Sequence, residues 1–241
     1  MEFADWAIVL GPIVAGVDEG RFFVVPRSDY TITDTWFTLG MRATGSQSLT
    51  LDEVFVPARR SFPREELLAG RPEPVGGPRR FAPLFAVNGL TFGCPILGAA
   101  RGALRIAEES LTRAAAEGRA VRDSARIGFA RAAGEIDAAG LLLDRVARSA
   151  ERDAFTPALI ARSHRDSALA AALLTSAVDA LQHGNGVRGE ARNDPLQRIW
   201  RDVHAGVKHI VLQFEPAALH FTEHLLSPHH EHPDPPERAA D

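Results

Sequence analysis

The chain has 241 residues, 45% hydrophobic and 24% charged, with a formal net charge of −4. That balance is the one expected of a soluble globular protein with enough material for a substantial core, and it argues against general nucleic-acid binding. One cysteine rules out an intrachain disulfide framework, and no uninterrupted apolar run approaches the ~18 residues of a membrane-spanning helix. The opening stretch "MEFADWAIVLGPIVAGVDEG" has no basic n-region and is interrupted by acids, so no signal peptide is expected and a cytoplasmic location fits.

In chain order, the first sixty residues read as strands. "WAIVL", "RFFVVP", "YTITDTWFTL" and "SLTLDEVFVP" are short runs rich in β-branched and aromatic residues, separated by Gly, Pro, Asp and Ser. In the last of these, Leu49, Leu51, Val54 and Val56 give a half-buried alternation with one irregular step. Residues 1–62 therefore form a small β unit. Residues 63–82, "PREELLAGRPEPVGGPRR" with its flanks, form a Pro- and Gly-rich linker.

From 83 to 226 the pattern is helical. The spacing predicts long helices over Leu84–Glu117, Asp123–Arg152, Thr156–His183 and Pro195–Leu226. Thr156 and Asp194 each precede a proline, so each reads as an N-cap with Pro157 or Pro195 at the first helical position. Short connections make an antiparallel four-helix bundle, and the fold class is α+β. The tail 227–241 is polar and Pro-rich and is expected to be disordered. Its His229, His230 and His232 resemble a metal tract but lack a scaffold. Cys94 lies in an apolar helix and reads as buried and inert.

The densest chemistry is in "RIWRDVHAGVKHIV". If this stretch is one helix, Asp202, Ala205, Gly206 and His209 share a stripe. The small residues leave room for a planar ligand, with the imidazole at its edge to donate a hydrogen bond or move a proton. Arg201 and Asp202 read as an ion pair anchoring the helix start, with Arg198 and Arg201 as a phosphate-reading edge in the alternative. His204 reads as a capping or interface residue. Gly184 and Gly186 sit in a Gly-rich interhelix turn that permits close backbone approach but is not a dinucleotide fingerprint. Trp36 is suited to stacking on a ring system and Ser46 to bonding a heteroatom. Arg119 and Arg122 lie in the loop between the first two bundle helices.

Together, "GMRATGSQSLTLDEVFVP" in the strand region and "NDPLQRIWRDVHA" opening the last helix resemble the acyl-CoA dehydrogenase superfamily, over about residues 1–226. The resemblance is nearest to its two-component, reduced-flavin-dependent monooxygenases. It implies that the chain begins inside the family's central β domain, without the preceding N-terminal helical domain and flavin-contacting loop. It further implies an enzyme using reduced FMN or FAD from a separate flavin reductase, acting on a small organic substrate as a homodimer or homotetramer.

By the same resemblance, His209 lies near the flavin's reactive carbon and Trp36 and Ser46 lie against the flavin. Gly184 and Gly186 touch its diphosphate or adenine side, and Arg119 or Arg122 reaches a flavin phosphate of another subunit. Arg201 belongs to the same cofactor set. The dehydrogenase base of the family falls at Ile210, or at Asn88 for members that place it in the first bundle helix; neither is an acid. An FAD-dependent acyl-CoA dehydrogenase with another base, and a non-catalytic oligomerising remnant, are the alternatives.

Overall fold

The computed structural model describes residues 3–12, 20–69, 83–151 and 155–227. The tail from 228, with its three histidines, and residues 70–82 of the expected linker lie outside them. Strand β1 (Trp6–Pro12) pairs antiparallel with β2 (Gly20–Pro26), which pairs with β5 (Ser61–Pro63). A separate two-stranded ribbon joins β3 (Thr31–Thr33) to β4 (Ser48–Thr50).

The run "SLTLDEVFVP" is strand only over its first three residues. Its irregular step is Glu53, whose φ of 47° takes the backbone into the left-handed region and ends the extended ladder. The expected linker begins with Pro63, the last residue of β5, and a short helix, α1 (Arg64–Ala69).

Three long helices form where the spacing placed them: α2 (Leu84–Ala116), α3 (Asp123–Glu151) and α4 (Pro157–Asn185). Thr156 caps α4 by accepting from the Leu159 N–H at 3.2 Å. Asp194 caps α5 (Pro195–Gly206) by accepting from Leu196 and Gln197 at 2.8 and 3.1 Å. Each satisfies donors that a helix start otherwise leaves orphaned.

The expected fourth helix is not continuous. It stops at Gly206, passes through a 3-10 turn at Ile210–Leu212, and restarts as α6 (Phe214–Leu226). Pro216 lacks an N–H and sits in the first turn of α6, where no intrahelical donor is required of it; α2, by contrast, continues through Pro95. The Gln213 side chain donates to the freed carbonyl of Val207 at 2.9 Å, closing the end of α5.

Helix α4 is central and packs against α2, α3, α5 and α6. Its buried alanines, Ala168, Ala170, Ala171 and Ala177, let neighbouring helices approach closely around Ile136, Leu143, Leu174 and Val178. Buried Asp166 is gripped by Arg145 of α3 at 2.6 Å and by Arg165 at 2.7 Å, and Arg165 lies over the Phe221 ring of α6. One carboxylate thus ties three helices. By length and composition α2 could cross a membrane, but here it packs against α3, α4 and α5. Cys94, expected to be buried, is exposed on α2, because the face of that helix which meets the bundle carries Gly93, Ile96 and Leu97 instead.

The β unit is fastened to the bundle through the segment before β4. Met41 has a left-handed φ of 54°. Its N–H donates to the Asp202 carboxylate at 2.7 Å, while its carbonyl accepts from the Trp36 indole at 2.9 Å and from Thr44 at 2.7 Å. Arg201 donates to the carbonyl of Leu39 at 2.7 Å. Gly40, between them, lies so close to the α5 backbone that an added Cβ would collide with the Arg201 carbonyl.

Gly40→Ala is therefore expected to lower unfolding free energy by about 1–3 kcal/mol, the usual cost of overpacking. Asp202→Ala should cost about 2 kcal/mol for a lost charged hydrogen bond. Urea unfolding of both single variants and the double variant checks this. The losses should be less than additive, since either change opens the same contact.

Candidate functional site

A cavity of about 350 Å³ opens where α1, the start of α2, the first half of α4 and the α5–α6 connection converge. Its wall is mainly apolar, with Leu68, Phe85, Val211 and Pro216. Its polar lining is Arg64, Asn88, His164, Ser167 and His209, and no carboxylate is among the lining residues. Arg64 is exposed and sits at the rim, whereas both histidines are half-buried.

His209 reaches this cavity by a different route from the one its spacing suggested. It is not on the α5 stripe but just past the helix, as the cap of the 3-10 turn. Its Nδ1 accepts from the Val211 N–H at 3.4 Å, a long bond that assigns the ring proton to Nε2. The ring stacks on Phe92 of α2, with centroids 3.6 Å apart. Burial pushes its pKa below the ordinary 6.5, so the neutral ring is favoured near pH 7. A neutral imidazole that presents an N–H to an apolar cavity can hydrogen-bond an oxygen or pass it a proton. Ile210 and Asn88, the positions where the resemblance placed a dehydrogenase base, both line this same cavity.

A second cavity of about 700 Å³ holds Arg119, Gly184 and Gly186 together, with Arg113 and Arg122. Gly186 has a left-handed φ of 68°, and a Cβ there would come within 3.2 Å of the Arg122 guanidinium. Arg122 donates to the Gly184 carbonyl at 3.3 Å, and Arg119 pairs with Glu117 at 2.6 Å. Several cationic groups beside a glycine turn suit a phosphate. This cavity uses Ile106–Arg113 of α2, whereas the first uses Phe85–Gly89. That separation is some twenty residues, or about 30 Å along a helix.

The remaining expected site residues lie at the β–bundle contact. Arg201 is bonded to Leu39 and Gln197, and does not pair with Asp202, which takes Met41 instead. Trp36 has its indole N–H on Met41, with a half-buried ring. Ser46 is exposed beside Thr44. His204 ties α5 to α4 through Asp179 at 3.2 Å while its Nδ1 meets the Trp200 carbonyl at 2.9 Å. Sequence reasoning missed His164 and Phe92. The available signal for His164 was a lone imidazole on an otherwise small and apolar helical face. Among the described residues no group of three or more His, Cys, Asp or Glu is placed to hold a metal ion.

Residues 90–214 match the acyl-CoA dehydrogenase C-terminal domain, which is more than half of the chain. The chain belongs to the acyl-CoA dehydrogenase family. Within it, the chain is 33% identical to the flavin-dependent monooxygenase oxygenase subunit HsaA of Mycobacterium tuberculosis, over 92% of this chain and 60% of that protein. It is 32% identical to the oxygenase component of an FADH(2)-dependent resorcinol hydroxylase of Rhizobium, over 89% of this chain and 58% of that protein. The crystal structure of 3-HSA hydroxylase from Rhodococcus superposes with a TM-score of 0.80 at 30% identity, covering 92% of this chain and 60% of that one. The chain thus spans about 60% of the length of these relatives.

Burial also lowers the pKa of His164, with a further push from His220. Both histidines lining the cavity should titrate below 6.5 when their Cε1 protons are followed by NMR, and Phe92→Ala should move His209 back up. The unfolded chain then binds more protons than the native one below that pH. Stability should be full above about pH 6.5 and fall as pH drops through the lowered values, which urea midpoints across the pH range would show.

Proposed function

We propose that this chain is the catalytic portion of a flavin-dependent monooxygenase, the oxygenase component of a two-component system in the cytoplasm. It would take reduced FMN or FAD from a separate reductase and hydroxylate a small organic substrate. The observation that carries this reading is the cavity around His209. It is apolar, is lined by two histidines whose neutral form is favoured, and holds no carboxylate where a dehydrogenase of this family would keep its base. The oxygenase names of the relatives point the same way.

Residues that fit a flavin nucleotide are present. Arg119, Arg122, Gly184 and Gly186 would hold its phosphate end, and the left-handed Gly186 forms a cradle that a side chain would crowd. Trp36, Ser46 and Arg201 lie at the β–bundle contact. When bound, the reduced flavin supplies the electrons that activate dioxygen. The distance along α2 between the phosphate cavity and His209 favours an assembly of two or four copies, in which one copy's arginine cavity serves the site of the next. His209 would donate its Nε2–H to an oxygen atom at the reacting position, and stacking against Phe92 keeps that donor fixed.

Titration of the purified chain with oxidised and reduced FMN and FAD, followed by exposure to dioxygen, tests the proposal. Tighter binding of the reduced form is expected, and a folded sample that binds neither flavin in either state would overturn it. In a sample supplied with reduced flavin and substrate, His209→Ala should lower hydroxylated product per turnover by about 100-fold or more, the scale of a lost acid–base group. Dioxygen should be diverted to hydrogen peroxide, with circular dichroism unchanged. Unaltered coupling would remove the role assigned to His209.

A further inference from the structure

His164 has no part in the roles assigned so far, yet it forms a wall of the same cavity. It projects from α4 three residues before Ser167, which lines the same wall. Ser167 is buried at 2% exposure and packs against Gly89 of α2, where an added Cβ would collide with its hydroxyl. The closeness of α2 and α4 at Gly89 is therefore what sets the depth of this wall.

The His164 ring is held on two sides. Phe85 meets it edge-on with centroids 5.9 Å apart, and His220 of α6 lies at 5.8 Å. Its charged neighbours do not claim it: Arg165 and Asp166 bond each other, and Asp166 also bonds Arg145. The Nδ1 atom is sealed from water without a hydrogen-bond partner. Nε2 is the nitrogen left to meet a ligand. An imidazole fixed by packing and holding a free polar atom beside an apolar cavity is the pattern of a recognition site, where a few placed polar groups set orientation. The Nδ1 of the neighbouring His220 is sealed without a partner too, but of these two histidines only His164 lines the cavity.

We infer that His164 is a substrate-binding, specificity-determining residue, and that its Nε2 hydrogen-bonds the hydroxyl of an aromatic substrate seated in the 350 Å³ cavity. The chemistry selects that class. Leu68, Phe85 and Val211 suit an aromatic ring, no acid or lysine lines the cavity, and its one cation, Arg64, is exposed at the rim and away from its apolar wall. A hydroxyl both donates and accepts, so it matches a neutral imidazole in either tautomer. His209 and His164 then divide the work, one facing the reacting oxygen and the other fixing the ring that receives it. This deepens the proposed oxygenase reading and rests on it for the turnover of the bound molecule.

The test uses binding alone, with p-cresol and p-xylene as probes of one shape that differ in a hydroxyl. Dissociation constants come from NMR titration of the whole chain without flavin. In the native protein p-cresol should bind more tightly and move the His164 Nε2 15N resonance through the hydrogen bond, whereas p-xylene should leave it near its free value. His164→Phe should weaken p-cresol about fivefold to tenfold, the worth of one hydrogen bond, with p-xylene within twofold. His164→Asn should restore part of the p-cresol preference, and it carries the comparison if the phenylalanine variant does not fold. Equal losses for both probes, an unchanged preference, or no p-cresol binding by the native chain would overturn the inference. Since neither flavin nor dioxygen is present, a chain that binds p-cresol through His164 but takes up no flavin would sink the proposed function and leave this site standing.

Discussion

The joining of the β unit to the bundle depends on one short contact, in which the Asp202 carboxylate accepts the Met41 N–H while Arg201 donates to Leu39. Two adjacent residues of α5 complete the backbone hydrogen bonding of a strained turn, and the glycine between the bonded positions lets the two backbones meet. Left-handed backbone at a non-glycine residue persists only when its surroundings over-determine it. Here Asp202, Trp36 and Thr44 supply that constraint from three directions. The contact also fixes the rotation of α5, and the helix end at Gly206, packed against Ile96, hands that orientation on to His209.

The fold was largely legible because its signals are local. Helix starts at Thr156 and Asp194 follow from a capping side chain and the proline after it, and no long-range contact is needed to read them. Pro216 fits the first turn of α6 but does not by itself announce the break before it, since α2 runs through Pro95, and an apolar periodicity on either side of a short interruption reads as one helix. That error mattered for mechanism. His209 was read as lying on a helical stripe, but it caps a turn, and a turn-capping residue points where the turn directs it and not where a helical wheel does.

The site was less legible because its parts come from distant segments. The Arg201–Asp202 pair reads in sequence as a salt bridge, and only the approach of residues 39–41 shows that each partner is spent on backbone. His164 carries no motif at all; its place in the cavity exists because Gly89 lets α2 and α4 close together. Arg119, Gly184 and Gly186 did converge, since loops at the same end of antiparallel helices must lie near one another. Their distance from His209 follows equally from helix length, which the sequence already contained.

The Met41–Asp202 bond spans 161 residues of chain. Contacts of such separation bear a large loop-closure entropy and form late in folding. The β unit is made before the bundle, yet its docking surface on α5 does not exist until most of the bundle has been synthesised. The short ribbon of β3 and β4 is too small to hold the 36–47 segment in place alone. Assembly of the two parts therefore runs against the order of synthesis: the bundle must be nearly whole before the β unit made ahead of it can settle.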